Sequence, residues 1–245
     1  MKKNDNRPNT TDQKGASSAS TESGGCTAPV PFRLLDLFCG AGGAGMGYHR
    51  AGFDVTGVDI KFQKRYPFEF IQADALQYCR EHGHEYDAIH ASPPCQRYST
   101  CTPMPHRDKH PDLIGPTRES LNLTGRPYVI ENVENARHLL KNPIRLCGTS
   151  FGLNIRRHRY FETQPEFFEL LSPCDHSRKI VYISGSAGSA TAKFHRFDFT
   201  VAQRQEAMGT PWMGDVGLDE AIPPAYTEWI GKQLLTFLRA QYNRR

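Results

Sequence analysis

A short apolar strand that runs straight into a cluster of glycines is the feature that most restricts how this chain can fold. Residues 33–38 (Arg-Leu-Leu-Asp-Leu-Phe) have the composition of a buried strand, and residues 40–45 (Gly-Ala-Gly-Gly-Ala-Gly) follow it closely. Glycines permit positive φ angles and let other groups approach the backbone closely. A helix predicted over about 46–51 completes a strand, turn and helix of the kind that lies at the carboxyl edge of a parallel sheet.

The alternation of strand and helix continues along the chain. It predicts a Rossmann-like α/β fold, with a doubly wound and mostly parallel sheet. We expect residues 1–30 to be a disordered arm, residues 31–163 with 200–245 to form the α/β domain, and residues 164–199 to form a small lobe. The predicted strands cover 53–59, 70–71, 86–90, 127–132 and 159–163, and the later helices cover 75–82, 112–123 and 228–242.

Composition says more about the cellular environment of the protein than about the reaction that it carries out. A net charge of +4 permits a polyanionic partner without requiring one. No apolar run approaches the roughly 20 residues that span a bilayer. The seven cysteines are scattered and suit reduced thiols better than a disulfide framework. We therefore expect a cytoplasmic protein that does not enter membranes.

Carboxylates follow two of the predicted strands at the same edge as the glycine turn. Asp59 ends the second strand, about 20 residues after the turn, where a carboxylate can bind ribose hydroxyls. Asp74 follows the third strand. The turn and these carboxylates fit S-adenosylmethionine and NAD-type cofactors about equally well, although the glycine spacing is not the G-x-G-x-x-G of dinucleotide sites.

A cysteine behind two prolines ends a later strand. Residues 92–96 (Ser-Pro-Pro-Cys-Gln) would present Cys95 at the ligand edge of the sheet, because the prolines stop the strand and restrict the backbone. A thiol there can act as a nucleophile if nearby positive charge favours the thiolate. The alternative is a buried cysteine that only packs.

Further along the chain, a carboxylate and two arginines occupy comparable positions. Glu131 ends a strand and can bind or protonate a ring nitrogen, or can merely cap the next helix. Arg157 and Arg159 project to one face of an extended segment, where they can hold a carbonyl oxygen and a phosphate, or form a solvated basic edge.

Taken in chain order, these motifs resemble those of the cytosine carbon-5 DNA methyltransferase family. The resemblance covers roughly residues 33–238, and it implies a class I methyltransferase fold, S-adenosyl-L-methionine as cofactor and a target-recognition lobe. The matching segments are 36–43 (cofactor motif), 93–96 (nucleophile), 131–133 (base activation), 157–159 (arginine pair), 199–211 and 221–224 (the last two motifs).

The resemblance also implies a role for each matching residue. Cys95 would add to carbon 6 of a flipped cytosine, and Glu131 would bind or protonate ring nitrogen 3. Arg159 would hold the base carbonyl, and Arg157 would help to orient the base or a phosphate. The expected cofactor contacts are Phe38, Gly40, Gly42, Gly43, Asp59, Asp74 and Pro94.

The resemblance implies that the partner is double-stranded DNA. We expect the protein to be a monomer with no obligatory protein partner. The loop over 99–112 is expected to close over the flipped base. Because the lobe over 164–199 has only about 36 residues, it can bury little surface and predicts a short or degenerate target. The expected nucleic-acid contacts are Arg107, Lys109, Arg178, Lys179, Lys193 and Arg196.

The chain departs from the family pattern at two further places. Ile155 stands where the family usually has Gln, and residues 219–220 (Asp-Glu) stand where it usually has Gly-Asn. Cys174 and His176, with Cys147 upstream, make an incomplete metal pattern. We expect a packed cysteine and a polar histidine there, and no metal.

Other functions remain open at this stage. The same chemistry on RNA or a free nucleotide is one, and a catalytically silent nucleic-acid-binding relative is another. A nucleotide-binding oxidoreductase fits the glycine turn but assigns no role to Cys95 or the arginines. The favoured reading is a DNA methyltransferase of a phage or bacterium that serves restriction–modification or self-protection.

Overall fold

Seven strands form one sheet at the centre of the structure, a computed structural model that describes residues 30–99, 102, 104–167, 171–177, 180, 181, 183 and 198–244. Their order across the sheet is β3-β2-β1-β4-β5-β7-β6. The first five are parallel, and β7 is antiparallel to both of its neighbours. The strands are β1 (Arg33–Leu37), β2 (Asp54–Asp59), β3 (Glu69–Gln72), β4 (Ala88–Ala91), β5 (Tyr128–Asn132), β6 (Ile144–Leu146) and β7 (Arg159–Gln164).

Helices cover both faces of this sheet, so the predicted doubly wound, mostly parallel α/β fold is confirmed. Among the described residues, none of the helices is both long and apolar enough to cross a membrane. Within the described ranges, the α-helices are α1 (Gly43–Ala51), α2 (Ala75–His82), α3 (Met104–Arg107), α4 (Ile114–Thr124), α5 (Val201–Met208), α6 (Asp215–Glu220) and α7 (Pro224–Tyr242), and 3-10 helices cover Gly83–Glu85, Glu134–Leu139 and Gly148–Phe151.

Successive residues of each central strand are buried on opposite faces, as expected for a sheet covered on both sides. Leu34 belongs to a core shared with Tyr48 of α1 and Ile230 of α7. Leu35, the next residue, belongs to a second core shared with Cys79 and Leu121, from α2 and α4. The two cores hold the strands rigidly, and the strand ends are therefore well positioned to carry a site.

Two details differ from the sequence-based expectation. Helix α1 begins at Gly43 rather than near residue 46, because Gly42 has a φ of 83° and caps the helix in the left-handed conformation. The segment over 99–112, expected as a loop, contains the short helix α3.

Residues Pro31–Arg245 form one compact unit. The described parts of segment 164–199 belong to this unit and contain no helix. Apart from the end of β7, their pairing is a single bridge between Ile155 and Val181. The predicted lobe boundaries and the terminal arm remain predictions.

Candidate active site

A cavity of about 750 Å³ opens at the carboxyl ends of the parallel strands, where ligands bind in sheets of this type. It brings together residues that are distant in sequence, from the glycine turn, three strand ends and α6. The predicted site residues that line it are Phe38, Gly40, Gly43, Asp59, Asp74, Pro94, Cys95, Glu131 and Arg159.

The glycine turn is fixed by the end of β2. The backbone amide of Gly40 donates a hydrogen bond to Asp59 Oδ2 at 3.1 Å, and the amide of Lys61 donates to Asp59 Oδ1 at 2.9 Å. Phe38 and Gly40 both have positive φ angles, 56° and 48°. A Cβ atom on Gly40 would meet nothing within 4 Å, so this part of the turn leaves room beside the cavity.

The two glycines that follow leave no room for a side chain. A Cβ atom on Gly43 would lie 2.3 Å from the carbonyl oxygen of Ile222, and one on Gly42 would lie 2.7 Å from Pro67. Gly42 is absent from the cavity lining. Its contribution is therefore the left-handed backbone that starts α1 rather than an open surface for a ligand.

Hydrogen bonds from three neighbouring segments hold the loop that carries Cys95. The side-chain amide of Asn132 donates to the carbonyl oxygen of Pro93 at 3.0 Å, and the hydroxyl of Ser92 donates to the carbonyl of Phe38 at 3.3 Å. Beyond the cysteine, the amide of Tyr98 donates to the Cys95 carbonyl at 2.9 Å. Asn132 therefore helps to hold the loop that carries Cys95.

The Cys95 thiol is half-buried in the cavity wall. Burial raises its pKa above the ordinary value, and the nearby Arg159 guanidinium opposes that rise, with a smaller opposing effect from Arg157. The carboxylate of Glu131 raises the pKa further. Burial thus favours the thiol form of Cys95, and the two guanidinium groups favour the thiolate.

Glu131 and Arg159 form a buried ion pair beside this thiol. Arg159 Nε lies 2.9 Å from Glu131 Oε1, and the two side chains are 15% and 8% exposed. They project from adjacent antiparallel strands, β7 and β5. Burial raises the pKa of Glu131, and Arg159 and Arg157 oppose the rise. Burial therefore favours the protonated form of this carboxyl group, which suits Glu131 to proton transfer.

Arg157 lies behind the cavity wall and does not line it. Its Nη2 donates to the carbonyl oxygen of Asp219 at 2.6 Å, and its own carbonyl accepts from the hydroxyl of Tyr226 at 2.5 Å. Burial lowers the pKa of Arg157 to about 9. This placement favours a role in which Arg157 supports Arg159 and α6 from behind the cavity wall. It does not favour the direct contact with a base or phosphate that the sequence suggested.

The two departures from the family pattern have structural explanations. Asp219 is buried in α6, and its Oδ1 lies 2.6 Å from Arg204 Nη2 of α5, so the pair joins the two helices. Glu220 lines the cavity. Ile155 is fully buried against Gly148, where an apolar side chain fills the space.

Removing the charge of Asp219 should destabilise the protein strongly. Arg204 and Asp219 are 3% and 5% exposed, and Asp219 is the buried one of the two carboxylates that pair with this cation, the other being the more exposed Asp215. We expect Asp219→Asn to lower the free energy of unfolding by roughly 2–4 kcal/mol in urea titrations. The matched control is Glu228→Gln, which removes a more exposed ion pair with Lys232 and should change stability by less than about 0.5 kcal/mol. Equal effects of the two variants would contradict this role of Asp219.

The predicted nucleic-acid contacts are only partly described. Arg107 donates from Nε to the carbonyl of Thr102 at 3.0 Å, and Lys109 is exposed. Neither lines the cavity. Arg178, Lys179, Lys193 and Arg196 lie outside the described residues.

Two groups of residues escaped the sequence analysis. Lys61, Lys64 and Arg65 line the cavity from the segment after β2, and the basic run over 61–65 was the signal for them. His158, between the two arginines, lies with Cys147, Cys174 and His176 in one cluster. The incomplete metal pattern therefore gains a fourth member.

Comparison with known proteins agrees with this architecture. Residues 32–142 match the family model of the C-5 cytosine-specific DNA methylases. No curated protein matches the chain significantly. Among solved structures, a protein described as a DNA modification methyltransferase encoded within an E. coli prophage is 15% identical with a TM-score of 0.56, over 85% of this chain and 99% of its own.

Two eukaryotic structures match to a similar degree. They are the Entamoeba histolytica methyltransferase EhMeth (14% identity, TM-score 0.57) and the Dnmt2 methyltransferase of S. pombe (14% identity, TM-score 0.53). Each alignment covers 85% of this chain and 99% of the other. At these identities the likeness concerns the fold. The sequence match makes residues 32–142 similar to the C-5 cytosine-specific DNA methylases, and the fold around them is shared with solved methyltransferase structures.

Proposed function

We propose that this protein transfers a methyl group from S-adenosyl-L-methionine to carbon 5 of cytosine in double-stranded DNA. The observation that carries the proposal is the convergence of Cys95, Glu131 and Arg159 on the cavity that also contains the glycine turn. A nucleophile, a proton carrier and a carbonyl-binding cation are the groups that this reaction requires.

The cavity fits the cofactor by shape and by donor set. The open space at Gly40 admits a ligand against the turn, and the carboxylates of Asp59 and Asp74 are hydrogen-bond acceptors for hydroxyl and amino groups. Lys61 and Arg65 offer positive charge for a carboxylate. When bound, S-adenosyl-L-methionine supplies an electrophilic methyl group on a sulfonium.

The reaction assigns a distinct task to each residue. The Cys95 thiolate adds to carbon 6 of the cytosine ring, which makes carbon 5 nucleophilic toward the methyl group. Glu131 holds a proton at ring nitrogen 3, where negative charge would otherwise accumulate. Arg159 binds the base carbonyl and keeps Glu131 in place. Loss of the carbon 5 proton then expels the Cys95 thiolate and restores the aromatic ring.

A base inside a duplex cannot reach a thiol in the wall of such a cavity. The target must therefore be extruded from the helix, as in other enzymes that act on bases. The net charge of +4 favours association with a polyanion. The family match favours DNA over RNA as that polyanion.

The proposal is tested by offering tritiated cofactor with duplex DNA, transfer RNA or dCMP to the wild type and to Cys95→Ala. Incorporation into duplex DNA by the wild type alone is the expected result. Preferential incorporation into RNA or dCMP would mean that the proposed reaction is correct but that DNA is not the substrate. A duplex that contains 5-fluorocytosine should form a covalent adduct with the wild type, because the fluorine cannot leave as a proton does.

The role of Asp59 makes a separate prediction about the cofactor. Asp59→Asn should raise the Kd for S-adenosyl-L-methionine by roughly 10- to 100-fold, since hydrogen bonds to charged groups contribute about 1.5–3 kcal/mol. Calorimetry measures this directly. The control is Asp54→Asn, at the opposite end of the same strand, which should leave the Kd unchanged. Tight cofactor binding by Asp59→Asn would remove Asp59 from the binding site.

A further inference from the structure

Two cysteines and two histidines come together outside the cavity lining. They are Cys147, just after β6, His158, just before β7, and Cys174 with His176 from the segment that follows β7. One ligand atom from each residue lies within 4.8 Å of every other. Cys147 is buried, and His158 and Cys174 are partly buried. The proposed methyl transfer uses none of these four side chains.

Three of the distances between the donor atoms are close to those of a tetrahedral zinc site. Zn–S bonds of about 2.3 Å and Zn–N bonds of about 2.0–2.1 Å separate two nitrogens by about 3.3 Å and a nitrogen from a sulfur by about 3.6 Å. In the structure, His158 Nε2 and His176 Nε2 are 3.3 Å apart. Cys147 Sγ lies 3.5 Å from His176 Nε2, and Cys174 Sγ lies 3.9 Å from His158 Nε2. From this geometry we propose that the chain binds one structural Zn²⁺ through these four residues.

The surroundings of the cluster support the same conclusion. Glu134 Oε2 lies 4.0 Å from Nδ1 of His158, the ring nitrogen that is not used in the cluster, and this places a carboxylate near that imidazole beyond hydrogen-bond distance. Thr149 Oγ1 lies 3.4 Å from Cys147 Sγ, and Arg145 Nη2 lies 3.7 Å from Cys174 Sγ. Hydrogen bonds of this kind stabilise metal-bound thiolates.

The ligand set also selects the metal and its role. Two thiolates with two imidazoles suit Zn²⁺, while carboxylate and carbonyl ligands suit Mg²⁺ or Ca²⁺. Four protein ligands leave no open position, so the ion is structural rather than catalytic. Two thiolates balance its charge.

The ends of β6 and β7 already pair in the sheet, and the metal would join the segment that follows β7 to them. It would tie the chain after β7 to the end of β6 and to the residue before Arg159. His158 directly precedes Arg159, whose Nη1 donates to the His158 carbonyl at 2.9 Å. The zinc would therefore help to keep the Arg159 side chain in line with Glu131, and it would anchor the start of segment 164–199 beside the cavity.

Metal analysis of the full chain tests the proposal without reference to activity. Protein purified without chelators should contain about one zinc per chain, as measured by elemental mass spectrometry. Cys174→Ser and His158→Ala should lose most of it. The control His138→Ala, which removes an exposed imidazole outside the cluster, should retain it.

A second measurement covers variants that fold poorly. His176→Cys preserves a complete ligand set, so it should keep the zinc and should increase the thiolate-to-metal absorption of the Co²⁺-substituted protein. Removal of zinc from the wild type should lower Tm by roughly 5 °C or more, with recovery on adding Zn²⁺. Wild-type protein that neither contains zinc nor takes up one equivalent would overturn the proposal, as would full zinc content in Cys174→Ser.

Discussion

Cys95→Ala should lower the rate of methyl transfer by at least about 1,000-fold, since it removes the group that adds to the base. The loop around it should remain in place, because its hydrogen bonds come from Asn132, Ser92 and backbone amides rather than from the sulfur. Single-turnover assays measure the loss. The Kd for S-adenosyl-L-methionine should change by less than about threefold, because an alanine keeps the shape of the cavity wall.

Cys79→Ala is the matched thiol control. Cys79 is a fully buried residue of α2 that does not line the cavity, so its replacement should affect stability and leave the methyl-transfer rate per folded molecule unchanged. Residual activity above one-tenth of the wild type in Cys95→Ala would exclude Cys95 as the nucleophile. A loss of cofactor binding together with activity would point to a folding defect instead.

Glu131→Gln should lower kcat by roughly 100- to 10,000-fold, the range that a positioned acid or base contributes. The amide is nearly the same size as the carboxyl group, but it cannot deliver a proton to ring nitrogen 3. It also leaves the Arg159 guanidinium without a charged partner in a site where Arg159 is 15% exposed. Binding of the cofactor should be retained, because it needs other parts of the cavity.

The pH profile distinguishes proton transfer from simple positioning. Burial raises the pKa of Cys95 and also that of Glu131. The proposed reaction needs Cys95 deprotonated and Glu131 protonated at the same time, so the active form of the wild type has one proton between the two groups. At low pH both are protonated and there is no thiolate, and at high pH Glu131 has no proton to give. We expect a bell-shaped dependence of kcat/KM, with apparent pKa values that belong to the pair.

In Glu131→Gln only the thiolate is required, so the alkaline fall should disappear. The remaining activity should rise with pH to a plateau as Cys95 ionises. Glu134→Gln, which changes a more exposed carboxylate in the following 3-10 helix, should keep the bell shape. An unchanged bell in Glu131→Gln would mean that another group carries the proton.

Much of the fold follows from local patterns that a single sequence contains. The apolar strands, the glycine turn and the alternating elements predicted the parallel sheet, because hydrophobic periodicity and backbone restrictions act within a few residues. The ordered motifs from 36–43 to 221–224 indicated the family. The assignment of Cys95 and Glu131 to their chemical tasks remains a prediction that the variants above test.

The tertiary structure decided which of these residues share a space. In the structure, Arg157 contacts the backbone of Asp219 inside the protein and does not line the cavity. The acidic side chain of Asp219 is explained by its ion pair with Arg204. The tertiary structure also joined Cys147, His158, Cys174 and His176, whose spacing along the chain matches no common metal motif. Local periodicity carries no information about such contacts, because they depend on how distant strand ends and loops meet after the sheet has formed.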